Sequence, residues 1–236
     1  MYKVITHNIT EQHYDHPAAL EMLGVISHGN VKLHGNTHHM STTIKSTISD
    51  TGVSNIVRRN VRSMMAHYNG RMRDLIIAVG NGSADQATLS QALNTAATAI
   101  TSNYASYYPA ATAATFTQNF MDFTTSATGI VSGIYAGNTV PPTPSQTLNT
   151  ASINNLATLL ATTSPSSYSL ESAIALFGNI SKFWQAQATA RKAADWPADV
   201  AAAGNSEDIL ISGSQNTACL ADQYINALFI DWPNRF

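Results

Sequence analysis

From Ser54 onward, apolar residues recur at alternating spacings of three and four: Val57, Val61, Met64, Tyr68, Met72, Leu75 and Val79. That spacing lays one apolar stripe along a long helix and does not match the period of two that a half-buried strand requires. Gly80 and Gly82 supply the stop. Ser83-Ala-Asp-Gln86 has the form of a capping box and predicts a second helix through Leu89, Leu93, Ile100 and Tyr104. Tyr107-Tyr108-Pro109 breaks that helix. A third follows, with Ala113, Phe116, Phe120, Phe123, Ala127, Ile130 and Ile134 on its apolar face and Gly137 at its end.

Asn138-Thr-Val-Pro-Pro-Thr-Pro-Ser145 contains three prolines within four residues and predicts a linker between two halves. Beyond it, Leu148, Leu156, Leu159 and Leu160 mark a shorter helix that Ser164-Pro-Ser-Ser closes. Leu170, Ile174, Phe177, Ile180 and Trp184 mark a fifth. Asp195-Trp-Pro197 punctuates the run and leaves a short turn of helix at 198–203. The last helix is expected to open at Ser206-Glu-Asp, with its acids at the positive end of the helix dipole, and to run to Asp231 before Pro233. The expectation is an all-α, antiparallel bundle of about six helices over residues 51–236. Ala96-Ala97, Ala110-Ala111, Ala113-Ala114 and Ala201-Ala202-Ala203 permit close helix approach, within the bundle or between subunits.

A duplication is one reading of the aromatic spacing. From Tyr108, aromatics fall 12 and 15 residues later, at Phe120 and Phe123. From Tyr168, apolar residues fall 12 and 15 later, at Ile180 and Phe183. Two pseudo-repeated helical hairpins would give this, and so would two unrelated amphipathic helices.

Residues 1–50 have a different character. Seven of the eight histidines lie there: His7, His13, His16, His28, His34, His38 and His39. Helical periodicity is poor. The stretch 24–35 reads as two short apolar segments around a Gly-Asn turn, and the expectation is a non-helical or hairpin arm.

Charged residues make up only 11% of the chain and apolar residues 44%. The usual charged share is roughly 25%. Small neutral polar side chains fill the difference, and a surface of that kind packs against protein with few ions to desolvate. The formal net charge of −2, from 12 basic and 14 acidic residues, argues against a general nucleic-acid binder and against electrostatic membrane attachment. The single cysteine, Cys219, excludes an intrachain disulfide and reads as a small hydrophobe in a helical stretch. The first residues lack the basic region and apolar run of a signal peptide, and no stretch approaches ~18 consecutive apolar residues. A cytoplasmic chain, or one built into an assembled particle, is expected.

Three groups could carry chemistry. His34 and His38 are four apart, with His39 adjacent, a spacing that would let two imidazoles share a divalent transition metal if the segment were helical. Gly35 and Asn36 between them disfavour a helix. The same cluster could instead charge together on mild acidification near pKa ~6.5, or simply face solvent or a partner. Arg58, Arg59 and Arg62 open the first long helix and belong to a set of five arginines within sixteen residues. Cations at a helix N-terminus oppose its dipole, which points to an anion or partner contact, including an acid of this chain. His67, beside Tyr68, is the one histidine outside the arm. No serine or cysteine nucleophile stands in a recognisable context. Gly-Asn-Gly-Ser at 80–83 lacks the lysine and the preceding strand of a phosphate loop.

The order of features from Ile56 to Phe236 resembles a family of uncharacterised bacterial helical-bundle proteins. It includes a long first helix with His67 and downstream arginines, the Tyr107-Tyr108 break, Asp122 before an apolar helix, Asp195-Trp196 with Asp199, and the terminal Pro233-Asn-Arg-Phe236. The resemblance implies a bundle and brings no function with it. Members carry further inner histidines where this chain has Phe123 and Asn179, so any inherited metal site would rest on His67 and Asp122. The functional expectation is a non-enzymatic protein without a cofactor that self-associates, its N-terminal arm reaching a neighbouring subunit. A metal- or small-ligand-binding bundle is the alternative.

Overall fold

A computed structural model describes the backbone of residues 37–137, 143–213 and 219–232, and side chains from residue 55 onward. Two compact units divide the chain: residues 1–59 with 234–236, and residues 60–233. The described part of the first unit is the opening of one helix. The second unit is a helical bundle.

Seven α-helices run through the described residues, and no strand occurs among them: α1 Thr37–Gly80, α2 Gln86–Ala105, α3 Ala110–Ala136, α4 Pro144–Thr163, α5 Leu170–Lys192, α6 Trp196–Glu207 and α7 Leu220–Asp231. A π-helical turn, Asp208–Ser212, continues α6. Helix α3 packs against α2, α4 and α5, while α5 also packs against α4 and α6. The bundle expected from the helical period is therefore present, as two hairpins, α2–α3 and α4–α5, followed by α6 and α7. Tyr108 and Tyr168 sit just ahead of α3 and α5. Ala113, Phe116 and Phe120 on α3 match Ala173, Leu176 and Ile180 on α5 in order, and all are buried.

Several boundaries differ from those the sequence suggested. Helix α1 begins at Thr37, well before Ser54, so Gly52 and the β-branched residues near it did not stop it. The non-helical arm therefore does not extend to residue 50. The hairpin expected at 24–35 lies outside the described residues. Ser83 does not form a capping box with Gln86. Its Oγ instead accepts from the Asp85 backbone N–H at 3.2 Å, and Asp85 is the N-cap without a side-chain bond. The Pro-rich linker is shorter than 138–145. Thr143 is the N-cap of α4, with a reciprocal box in which Thr143 Oγ1 accepts from Gln146 N–H and Gln146 Oε1 accepts from Thr143 N–H. Pro144 stands in the first turn, where a missing N–H costs nothing.

The final helix also divides differently. Ser206-Glu-Asp does not open it, because α6 runs through those residues into the π turn. Gly213, at φ +60°, ends that run in a conformation that favours glycine. Helix α7 starts afresh at Leu220. Its N-cap is Cys219, whose Sγ accepts from Asp222 N–H at 3.4 Å and donates to the Ile211 carbonyl at 3.3 Å. The thiol is buried, and it serves as a hydrogen-bonding cap as well as a small hydrophobe.

The core follows the apolar faces closely on α3 and less closely elsewhere. Among the described residues of α1 the buried apolar set is Val61, Met65, Tyr68, Met72, Leu75, Ile76 and Ala78, so Met65 takes the place expected for Met64. Leu170 and Ile174, expected in the core of α5, are exposed, as is Leu148 on α4. A run of aromatic rings threads the bundle. Tyr104 stacks between Tyr108 and Phe116, each with centroids 4.0 Å away, and Phe116 leads to Phe120. Phe120 meets Tyr68 at 5.3 Å, and Tyr68 meets Trp184 edge-on at 5.7 Å. Offset and edge contacts of this kind add to the stabilisation that burial of the rings already supplies.

Candidate functional site

The residues singled out in sequence do not converge. His38 and His39 fall in the opening of α1, and His34 lies outside the described residues. His67 is exposed, on the side of α1 away from buried Tyr68. Asp122 is half-buried and accepts from Gln118 Nε2 at 3.0 Å, one turn back on α3. No group of three or more His, Cys, Asp or Glu side chains that could hold a metal occurs among the described residues. Arg58 is half-buried and Arg59 exposed. Arg62 finds its anion within the chain: Nη2 donates to Asp222 Oδ1 on α7 at 2.6 Å. Because α1 starts at Thr37, these arginines lie in mid-helix and the expected conflict with the dipole does not arise.

Three polar clusters that sequence reasoning missed are built into the bundle instead. At the α3–α4–α5 junction, Asn149 Nδ2 donates to Ser126 Oγ at 3.0 Å, and Asn149 Oδ1 accepts from Ser181 Oγ at 2.9 Å. Ser126 Oγ–H in turn donates to the Phe123 carbonyl. All three side chains are buried and satisfied, which fits a structural network that fixes helix register.

The second cluster joins two interhelical turns to the end of α7. Asp231 Oδ2 accepts from Tyr108 O–H at 2.9 Å and from Ser164 Oγ–H at 2.5 Å. Burial is the main cause holding the Tyr108 phenol far above its ordinary pKa. The Ser164 hydrogen bond works against it and the Asp231 carboxylate adds to it. Tyr104, Tyr168 and Tyr224 surround this point, and burial raises each of them as well. The phenols therefore keep their protons, and Tyr108 and Ser164 act on Asp231 as the donors of a hydrogen-bonded clasp.

The third cluster holds the most charge. Gln187 and Arg191 are four apart on one face of α5. Arg191 Nη2 donates to Asp199 Oδ2 at 2.5 Å, in the first turn of α6. The Trp196 ring stacks over the guanidinium, 5.4 Å from Arg191 Cζ to the ring centroid. Tyr135, in the last turn of α3, lies close enough for both charges to act on it. Burial raises its phenol first, Arg191 lowers it and Asp199 raises it. Lys192 Nζ donates to the Ile134 carbonyl and ties the end of α5 to the end of α3. Asp195 N-caps α6 by accepting from Ala198 N–H at 3.2 Å, which sets the turn that carries Asp199. The Asp195-Trp196 pair with Asp199 was visible in the sequence. Its partner across the helix break was not, because an ion pair between two helices has no local spacing rule.

No helix among the described residues is long and apolar enough to cross a membrane. No family model, curated protein or solved structure matches this chain.

Proposed function

We propose that this chain is a non-enzymatic assembly protein that self-associates into a homo-oligomer, particle or filament. The observation that carries the reading is the nature of its helix surfaces. Thr95, Thr98, Thr115, Thr150, Thr162 and Thr189 are all exposed, and each donates its Oγ1–H to the carbonyl four residues earlier. A hydroxyl committed in this way leaves its surroundings only an acceptor and a γ-methyl. With 11% charged residues, such a surface sheds little hydration when another protein covers it.

Two apolar pairs support the reading. Trp196 and Val200, one turn apart on α6, are 55% and 64% exposed. Leu170 and Ile174 form a second pair at the start of α5. A second copy of the chain is the partner that this neutral, weakly hydrated surface suits, since the same patch on both copies is self-complementary in a twofold dimer. The proposal includes a contact of the N-terminal arm with a neighbouring subunit. Residues 1–36 lie outside the described residues, and that part rests on their sequence.

Sedimentation velocity across a concentration series is the test. The mass is expected to rise with concentration and to change little between low and high salt, because few charges are involved. The double variant Trp196→Lys, Val200→Glu is expected to weaken association. A single monomer species at the highest concentration, unaltered when residues 1–36 are removed, would overturn the proposal.

A further inference from the structure

The Arg191–Asp199 pair is surrounded by polar atoms that the described residues do not satisfy. Asp199 is 3% exposed, and while its Oδ2 is taken by Arg191, its Oδ1 is buried with no partner. Arg191 Nε and Gln187 Nε2 are likewise buried and unpartnered, and Gln187 is 1% exposed. The Tyr135 hydroxyl makes a fourth. Folded chains leave few such atoms, since each one forfeits its hydration for nothing. Four around one ion pair form a cluster beyond that background. None of them belongs to the surface features behind the assembly reading.

The chemistry of the four atoms is specific. Gln187 Nε2 and Arg191 Nε are donors, Asp199 Oδ1 is an acceptor, and the Tyr135 hydroxyl serves as either. The guanidinium and the carboxylate already neutralise each other, so a charged guest would leave an uncompensated buried charge. The complementary guest is small, neutral, and carries an acceptor oxygen beside an N–H donor. Gly80 sets where the phenol lies: a Cβ there would stand 2.7 Å from the Tyr135 hydroxyl oxygen, so the ring packs directly against the glycine. The Trp196 ring, 55% exposed, lies over the guanidinium.

We infer that Tyr135, Gln187, Arg191 and Asp199 form a binding site for a small neutral amide- or urea-type molecule. The carbonyl oxygen of the guest accepts from Gln187 Nε2 and Arg191 Nε, and its N–H donates to Asp199 Oδ1. Tyr135 closes the ring of hydrogen bonds.

The test is a titration of the isotopically labelled full chain with acetamide, acetate and methylammonium, followed by the Arg191 Nε–H and Trp196 indole N–H resonances. A guest of so few atoms is expected to bind in about the millimolar range. Acetamide is expected to shift both resonances saturably, and the two ions are not. Gln187→Leu is expected to abolish the response while the chain stays folded, because it removes an unpartnered donor at nearly constant volume. Tyr135→Phe is expected to weaken binding about tenfold, the loss of one buried hydrogen bond. No saturable shift with acetamide, an equal response to acetate, or a full response in folded Gln187→Leu would each overturn the inference.

Discussion

Trp184 Nε1 donates to Asn69 Oδ1 at 2.9 Å, joining α5 to α1 through the centre of the bundle. Both residues are buried, and the indole also packs edge-on against Tyr68. An indole N–H in that position has no access to water as a substitute partner. Asn69→Ala therefore leaves a buried donor unpaired, and a loss of about 2 kcal/mol is expected. Chemical denaturation of the variant, compared at constant m-value, measures it. A loss below ~0.5 kcal/mol would show that the indole finds another acceptor.

The two interhelical ion pairs should behave unequally. Arg191 and Asp199 keep only 15% and 4% of their side-chain surface exposed, against 44% and 32% for Arg62 and Asp222. Removing one partner of a buried pair leaves an uncompensated charge in a poorly solvating place. Arg191→Leu is expected to cost about 3 kcal/mol or more, whereas Arg62→Leu should cost under ~1 kcal/mol. Added salt should narrow the second difference and leave the first nearly unchanged. Thermal and denaturant unfolding of the two variants side by side checks the ordering.

Two glycines of α1 offer a paired test of packing against helix propensity. A Cβ on Gly70 would meet nothing within 4 Å, while one on Gly80 would stand 2.7 Å from the Tyr135 hydroxyl and 2.9 Å from its Cζ. Gly70→Ala is expected to stabilise the protein by about 1 kcal/mol through the lower entropy of its unfolded chain. Gly80→Ala gains the same term, but must displace a ring. It is expected to be destabilising by ~1 kcal/mol. Equal shifts in Tm for the two variants would refute the packing argument.

The buried phenols make the fold sensitive to alkali. Burial raises the pKa of Tyr68, Tyr168 and Tyr224 above the ordinary value. In the unfolded chain they ionise near pH ~10. Above that pH the unfolded state has released protons that the folded state still holds, so stability falls as pH rises. The contribution is whole below pH ~10 and declines by about 1.4 kcal/mol per pH unit for each such tyrosine above it. Phenolate absorbance from these residues is expected to appear together with loss of the helical circular-dichroism signal. Ionisation of all tyrosines with the helices intact would contradict the burial.

The candidate clusters were scarcely legible in advance. Tyr108 was read as a helix breaker, yet its phenol also donates a hydrogen bond to Asp231 across the fold. Arg191 carries no local mark that distinguishes it from the arginines near residue 60. Conversely, His67 drew notice by its rarity and lies on the solvent face. Residue type and spacing report what a segment does by itself. A polar site depends on which segments meet, and that is a property of packing.

The same division holds for the architecture. By itself, the sequence determined that the chain is helical, where most helices end, and which face of α3 is buried. Each follows from forces acting within a few residues: the 3.6-residue period, the rigid φ of proline, and the left-handed turn open to Gly137 at φ +79°. Only the tertiary structure decided the rest. It paired Arg62 with Asp222, brought Tyr108 and Ser164 to Asp231, turned the Cys219 thiol to the Ile211 carbonyl, and left Leu170 and Ile174 outside the core. Those outcomes depend on contacts between distant residues, whose free energy is comparable to local propensity and therefore overrides it case by case.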